Sequence, residues 1–387
     1  VIIEIKGVEF ENKGAELMLV GILQRIQQYW PSAQIALSPS TKSPFLARAR
    51  LGAWQKLSLR KSRIDLNYLA PYVPASLSRK LRNWGIVLES DIDVIIDASG
   101  FSYSDQWGSD LRIRHAVAEA RRLKARGGKY IFMPQAMGPF HRQSTRMLLA
   151  RGFPEASLVC ARDEDTLAHI EKACGRFDSL RKYKDFTNVV SGTPPAHFKN
   201  GDTRFCIIPN RNMVNPRNKN RAWIGTYIDT LATAARIASS RGLEPILLNH
   251  EGEEDGDVIR EVIIRYGRPI EVFQERDPAA VKGIIQSCRA SLSSRYHGCV
   301  SALSSGKPSV GTSWSHKYER LYEDYGAEDL LITPGMSEGD LRRVIDLALD
   351  DSCEVAERIK TRAVQFKSET ESLWREVKCI IDSVEKR

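Results

Sequence analysis

Ala290-Ser291-Leu292-Ser293-Ser294-Arg295-Tyr296-His297-Gly298-Cys299, followed by Gly306-Lys307-Pro308-Ser309-Val310-Gly311 and then Trp314-Ser315-His316-Lys317, decides the architecture. Residues 290–293 read as a short buried strand, with His297 at the mouth of the helix that follows. Residues 308–311 read as the next strand, and Lys317 opens another helix. This alternation builds a parallel sheet with crossover helices. The two strand ends deliver Arg295, His297 and Lys317 to one rim, the edge of an open α/β sheet at which ligands bind. A titratable imidazole between two cations suits an anionic ligand to which a proton must be moved.

Working outward, the same alternation fills the chain. Strands are expected at 1–5, 34–37, 93–97, 130–133 and 158–161, the fourth ended by Pro134. Helices are expected at 14–29, where Ala15, Met18, Leu19, Ile22, Ile26 and Tyr29 recur at helical spacing, and at 110–126 and 164–174. Residues 40–80 give no clear periodicity. Around 187–201 the composition turns to Ser, Gly, Thr, Pro and Asn, a linker signal, after which the alternation restarts. The expected fold is α/β: two doubly wound Rossmann-like domains facing a cleft. They span 1–190 and 203–350, with a linker at 191–202 and a C-terminal helix at 351–387 that packs back across the domains.

Composition narrows the class. The chain has 387 residues, 42% hydrophobic and 27% charged, enough for two sizeable cores. No apolar run reaches the 18 residues expected of a transmembrane helix. The opening Val1-Ile2-Ile3-Glu4-Ile5-Lys6 lacks the basic flank of a signal peptide. Seven scattered cysteines without a CxxC pair argue for a reducing, cytoplasmic setting. Seven dispersed histidines give no expectation of a metal or other cofactor. The net charge of +9 gathers at Arg48, Arg50, Lys56, Arg60, Lys61 and Arg63, at Arg79, Lys80 and Arg82, and at Arg211, Arg217, Lys219 and Arg221. Such clusters are ordinary solvated surface, or they attract anionic substrates or the anionic inner face of a membrane. Nucleic acid fits less well, because no aromatic interleaving or nucleic-acid motif accompanies them.

Several loops after strands carry binding chemistry. In Asn12-Lys13-Gly14-Ala15-Glu16, Gly14 permits close backbone approach at a helix N-terminus, although an ordinary turn would read the same. Asp97-Ala98-Ser99-Gly100-Phe101-Ser102-Tyr103, continuing through Gln106 and Trp107, has the polar and aromatic groups that hold a sugar. Ala161-Arg162-Asp163 offers Asp163 as an N-cap and Arg162 as an anion-binding fork, or as the partner of Asp163 or Asp165. Asn249-His250-Glu251-Gly252 through Asp255 reads as a hydrogen-bonding loop rather than a metal site.

Taken in order, Asn12 to Leu19, Asp97 to Gly100, Pro134-Gln135-Ala136-Met137-Gly138-Pro139, Ala161-Arg162-Asp163, Arg295-Tyr296-His297, and Gly306-Lys307-Pro308 with His316-Lys317 resemble the polysaccharide pyruvyl transferase family. The resemblance implies a GT-B-like fold, phosphoenolpyruvate as co-substrate and a saccharide hydroxyl pair, on a free or lipid-linked acceptor. Within it, His297 is the catalytic residue, and Arg162, Lys317 and Arg295 bind the donor. Asn12, Gly14, Ser99, Gly100, Tyr103, Gln106 and Trp107 face the acceptor. Ala98-Ser99-Gly100 replaces the family's Gly-rich triplet, and Gly298-Cys299 replaces bulkier residues after the histidine. A GT-B glycosyltransferase using a nucleotide sugar, and an inactive sugar-binding scaffold, are the alternatives.

Overall fold

The protein is described from a computed structural model that covers every residue except 62, 217–220, 314 and 385–387. Arg217, Lys219 and Trp314, singled out above, lie outside the described residues. The chain divides into two compact units: residues 1–10, 21–186 and 369–387, and residues 11–20 and 187–368. The division is not a single cut near residue 190. Asn12 and Gly14, expected in the first domain, belong to the second unit, where the start of the helix Lys13–Tyr29 is tied down. The C-terminal helix Glu354–Asp382 contributes residues to both units.

The first unit carries an eight-stranded sheet. Its order is Leu180–Lys182, Leu158–Ala161, Lys129–Gln135, Val94–Asp97, Ile2–Lys6, Gln34–Leu37, Trp54–Lys56, Ile86–Val87, with every neighbour pair parallel. Central strands such as Val94–Asp97 and Leu158–Ala161 are buried along their whole length, as a sheet covered on both faces requires. The strand Lys129–Gln135 runs through Pro134 instead of ending there. The register against its neighbour shifts between Phe132 and Gln135, and such an irregularity tolerates a residue without an N–H. The region without sequence periodicity holds short pieces: the helices Phe45–Arg50 and Ala75–Asn83, the 3-10 turns Leu66–Tyr72, and a two-stranded antiparallel hairpin Arg60–Lys61/Ile64–Asp65.

The second unit is a six-stranded parallel sheet ordered Glu271–Phe273, Glu244–Leu248, Arg204–Ile208, Ala290–Ser293, Ser309–Thr312, Leu331–Ile332. This is the doubly wound order, with its topological switch between Arg204–Ile208 and Ala290–Ser293. In the first unit the order reverses between Ile2–Lys6 and Val94–Asp97. The segment read as a linker packs on the helix Pro278–Ser287. A Cβ on Gly192 would stand 2.4 Å from the Gly283 nitrogen, so the two backbones touch there.

Candidate functional site

The switch point of the second sheet gathers five of the eleven residues marked by the sequence, Asn12, Gly14, Arg295, His297 and Lys317. The strand Ala290–Ser293 ends in Ser294 and Arg295, and the helix Tyr296–Leu303 begins at once. Ser293 shapes this corner. Its Oγ accepts from the Arg295 N–H at 3.1 Å and donates to the Arg295 carbonyl at 2.9 Å. Across the switch, Asn210 Nδ2 donates to the Ser294 carbonyl at 2.9 Å, and the Tyr227 hydroxyl donates to Ser294 Oγ at 2.6 Å. The corner that presents His297 is therefore fixed by buried hydrogen bonds from the neighbouring strand end.

Gly14 lies against the imidazole. A Cβ built there would fall 2.3 Å from His297 Nδ1, so no other residue fits without moving the ring. Asn12 Oδ1 caps the helix Lys13–Tyr29, accepting from the N–H groups of Gly14 at 2.9 Å and Ala15 at 3.2 Å. Its Nδ2 donates to Glu251 Oε1 at 3.0 Å. Glu251 also pairs with Arg295 Nη1, and Asp255 takes the other side of that guanidinium, accepting from Nε at 3.1 Å and from Nη2. Arg295 is thus buried between two carboxylates, which give it a scaffolding place in the fold. Burial works against its charge, but Asp255 and Glu251 outweigh that effect and raise its pKa. Burial likewise raises the Asp255 carboxyl despite Arg295 and the Arg211 N–H, which Asp255 accepts at 3.0 Å.

Lys317 Nζ sits 5.5 Å from the centre of the Tyr296 ring and 5.4 Å from that of Tyr318. Tyr296 meets the His297 ring edge-on at 5.5 Å. Cation–π contact with Tyr296 and Tyr318 holds the ammonium on the same helix-entry corner as the histidine.

His250 and its neighbours were read from sequence only as a polar loop. Nδ1 of His250 and Oδ1 of Asn249 are buried without a hydrogen-bond partner among the described residues. Burial, then the charges of Arg295, His297 and Lys13, push the His250 pKa well below its ordinary value and keep the ring neutral. The available signal was its place directly after the buried strand Glu244–Leu248.

The remaining residues lie in the first unit. At its switch point a Cβ on Gly7 would fall 2.2 Å from Ser99 Cα. Asp97 is fully buried and accepts from the Ser99 N–H at 3.1 Å, Ser99 Oγ at 2.5 Å, Tyr103 Oη at 2.6 Å and Tyr130 Oη at 2.7 Å. Tyr103 is buried on this carboxylate. Gly100 takes a left-handed φ of 66°, which favours glycine. Gln106 and Trp107 are exposed, with Trp107 Nε1 donating to the Phe101 carbonyl at 2.8 Å. Arg162 Nη1 stands 3.5 Å from Asp185 Oδ2, and Asp163 caps the helix Glu164–Cys174 through the Thr166 N–H at 2.7 Å. Among the described residues, no group of three or more His, Cys, Asp or Glu is placed to hold a metal ion.

Three solved structures share this architecture. Anabaena HepE in complex with UDP-glucose aligns over 99% of both chains at 16% identity and a TM-score of 0.54. A putative UDP-N-acetylglucosamine 2-epimerase from Listeria monocytogenes aligns over 99% of this chain and 97% of its own, at 11% identity and a TM-score of 0.58. The S. aureus MnaA–UDP structure aligns over 100% and 98%, at 13% identity and a TM-score of 0.57. These likenesses establish the GT-B fold. No curated protein sequence matches the chain. The family model for polysaccharide pyruvyl transferase matches residues 12–316, taking in the Asn12–Gly14 turn, both switch-point loops and His297, and the chain therefore belongs to the polysaccharide pyruvyl transferase family.

Proposed function

We propose that the protein transfers a pyruvyl group from phosphoenolpyruvate to a pair of saccharide hydroxyls, forming a cyclic pyruvate ketal on an envelope polysaccharide or exopolysaccharide precursor. The observation that carries this reading is the packing of the His297 ring on Gly14, beside Lys317, at the switch point of the second sheet. Phosphoenolpyruvate brings a carboxylate and a phosphate. The Lys317 ammonium and the first N–H groups of the helix Tyr296–Leu303 suit these anions.

In this mechanism His297 donates a proton to the methylene carbon, and the double-bond electrons form the new C–H bond. The adjacent carbon becomes electron-deficient and is attacked by one hydroxyl. The bond to the phosphate oxygen then breaks, and the second hydroxyl closes the ring. Of the two hydroxyl protons, one returns to His297 and one leaves with phosphate. A helix N-terminus favours neutral imidazole, so the bound dianion supplies the field that protonates His297. Arg295 orients this corner through Glu251 and Asp255. The family resemblance gives Arg162 a donor-binding role, and the exposed Gln106–Trp107 turn is assigned to acceptor contact.

The test supplies phosphoenolpyruvate or a nucleotide sugar in parallel with a panel of saccharide acceptors. Phosphate release with phosphoenolpyruvate, lost in His297→Gln, is the expected result. Nucleotide release instead, or near-normal turnover by His297→Gln, would sink the proposal.

A further inference from the structure

The large apolar side chains left exposed are unevenly distributed. Among the described residues there are twenty, and twelve of them fall within residues 45–84. Phe45 is 58% exposed, Leu46 67%, Ile64 64%, Tyr68 52%, Tyr72 81% and Trp84 73%. They sit on the short elements around Trp54–Lys56 and Ile86–Val87, the last two strands at one edge of the eight-stranded sheet. Scattered exposed leucines need no explanation, but this concentration in a tenth of the chain does.

The charges in the same segment are one-sided. Arg50, Lys61, Arg63, Arg79 and Lys80 are exposed and form no ion pair among the described residues. The segment's one acidic residue, Asp65, is half-buried and pairs with Arg122 at 3.0 Å. Lys56 is turned inward onto Glu4 and Glu119, so the free charge lies entirely on the exposed side chains.

The geometry points to residues 45–84 as a docking surface for an anionic lipid bilayer. Aromatic and leucine side chains enter the boundary between headgroups and acyl chains, while lysines and arginines meet the headgroup charge. A second copy of this chain is the poorer occupant. A twofold interface would set the same five unpaired cations against themselves. Among the described residues no helix is long and apolar enough to cross a membrane, and the proposed contact is with one membrane surface. The inference rests on this surface alone and stands apart from the pyruvyl-transfer reading, so either can fail without the other.

The test is sedimentation of the full chain with vesicles of phosphatidylcholine alone or with phosphatidylglycerol added. Binding is expected only with the anionic lipid, and should weaken as salt rises. Replacing Arg63, Arg79 and Lys80 together by Ser should weaken it about 100-fold, from ~1 kcal/mol per basic residue near an anionic surface. Tyr72→Ser with Trp84→Ser should weaken it about tenfold or more at unchanged charge. Both variants alter exposed side chains, and unchanged thermal melting confirms that they fold. Equal binding to both vesicle types, no binding at low salt, or binding untouched by both variants overturns the proposal. So does a dimer in solution that Tyr72→Ser with Trp84→Ser dissociates, which would assign the surface to a second copy.

Discussion

Gly14 and His297 are far apart in the sequence and touch in the fold. Gly14 lies in the first turn of the helix Lys13–Tyr29 and has no positive φ, so backbone freedom does not explain it. Alanine would favour the helix by ~1 kcal/mol, which leaves close approach to the imidazole as the requirement. Gly14→Ala should leave thermal stability near wild type while kcat falls about 100-fold or more, the cost of a misplaced reacting group. Steady-state kinetics beside a melting curve checks this, and wild-type kcat would show that the ring tolerates displacement. His250 makes a separate pH prediction. Its folded pKa lies well below the ordinary 6.5, so the unfolded chain takes up the proton first. Its contribution to stability is complete above about pH 6.5 and is lost as the pH falls toward the folded value. His250→Phe should flatten the drop in urea midpoint between pH 7.5 and 5.

At the scale of elements, buried strands and amphipathic helices were legible in sequence because their apolar pattern is local. Gln34–Leu37, Leu158–Ala161, Glu164–Cys174 and Ala290–Ser293 fall where the pattern sets them. The short pieces between residues 45 and 87 were not, since most of their positions are exposed or half-buried and carry no continuous apolar run or stripe. What holds the first sheet also escapes pattern reading. Lys56, on the strand Trp54–Lys56, is buried between Glu4 on Ile2–Lys6 and Glu119 on the helix Leu111–Ala125. Burial raises the Glu119 pKa, but Lys56, Lys6 and Arg60 outweigh it and hold the carboxyl far below its ordinary value. Lys56→Met would leave the buried Glu4 carboxylate without its ion-pair partner and take one of three cations from Glu119, and should cost ~3–5 kcal/mol in urea unfolding at pH 7. Sign matters here as well. Glu119 contributes stability above the ordinary carboxylate range and loses it as the pH falls toward its folded value, so the cost of the substitution should shrink in acid.

Across the whole molecule, the C-terminal helix Glu354–Asp382 returns the chain to the first unit. There Trp374 is fully buried, edge-on to Phe186 at 6.3 Å, with the Arg25 guanidinium over its ring at 5.9 Å. Trp374→Ala should cost ~3–5 kcal/mol. Hydrogen exchange should rise in residues 1–10 and 21–186 more than in 187–368. An equal rise in both units would show that the helix stabilises them together. The sequence by itself determined the class of fold, because strand and helix periods and strand-end loops are written over a few residues each. It also marked His297, Lys317 and the Asn12–Gly14 turn through side-chain chemistry and position after strands. Only the tertiary structure decided that Gly14 supports the imidazole, that Arg295 is held between Glu251 and Asp255, and that His250 is buried neutral nearby. Those are contacts between residues far apart in the chain, and no local pattern encodes which of them meet.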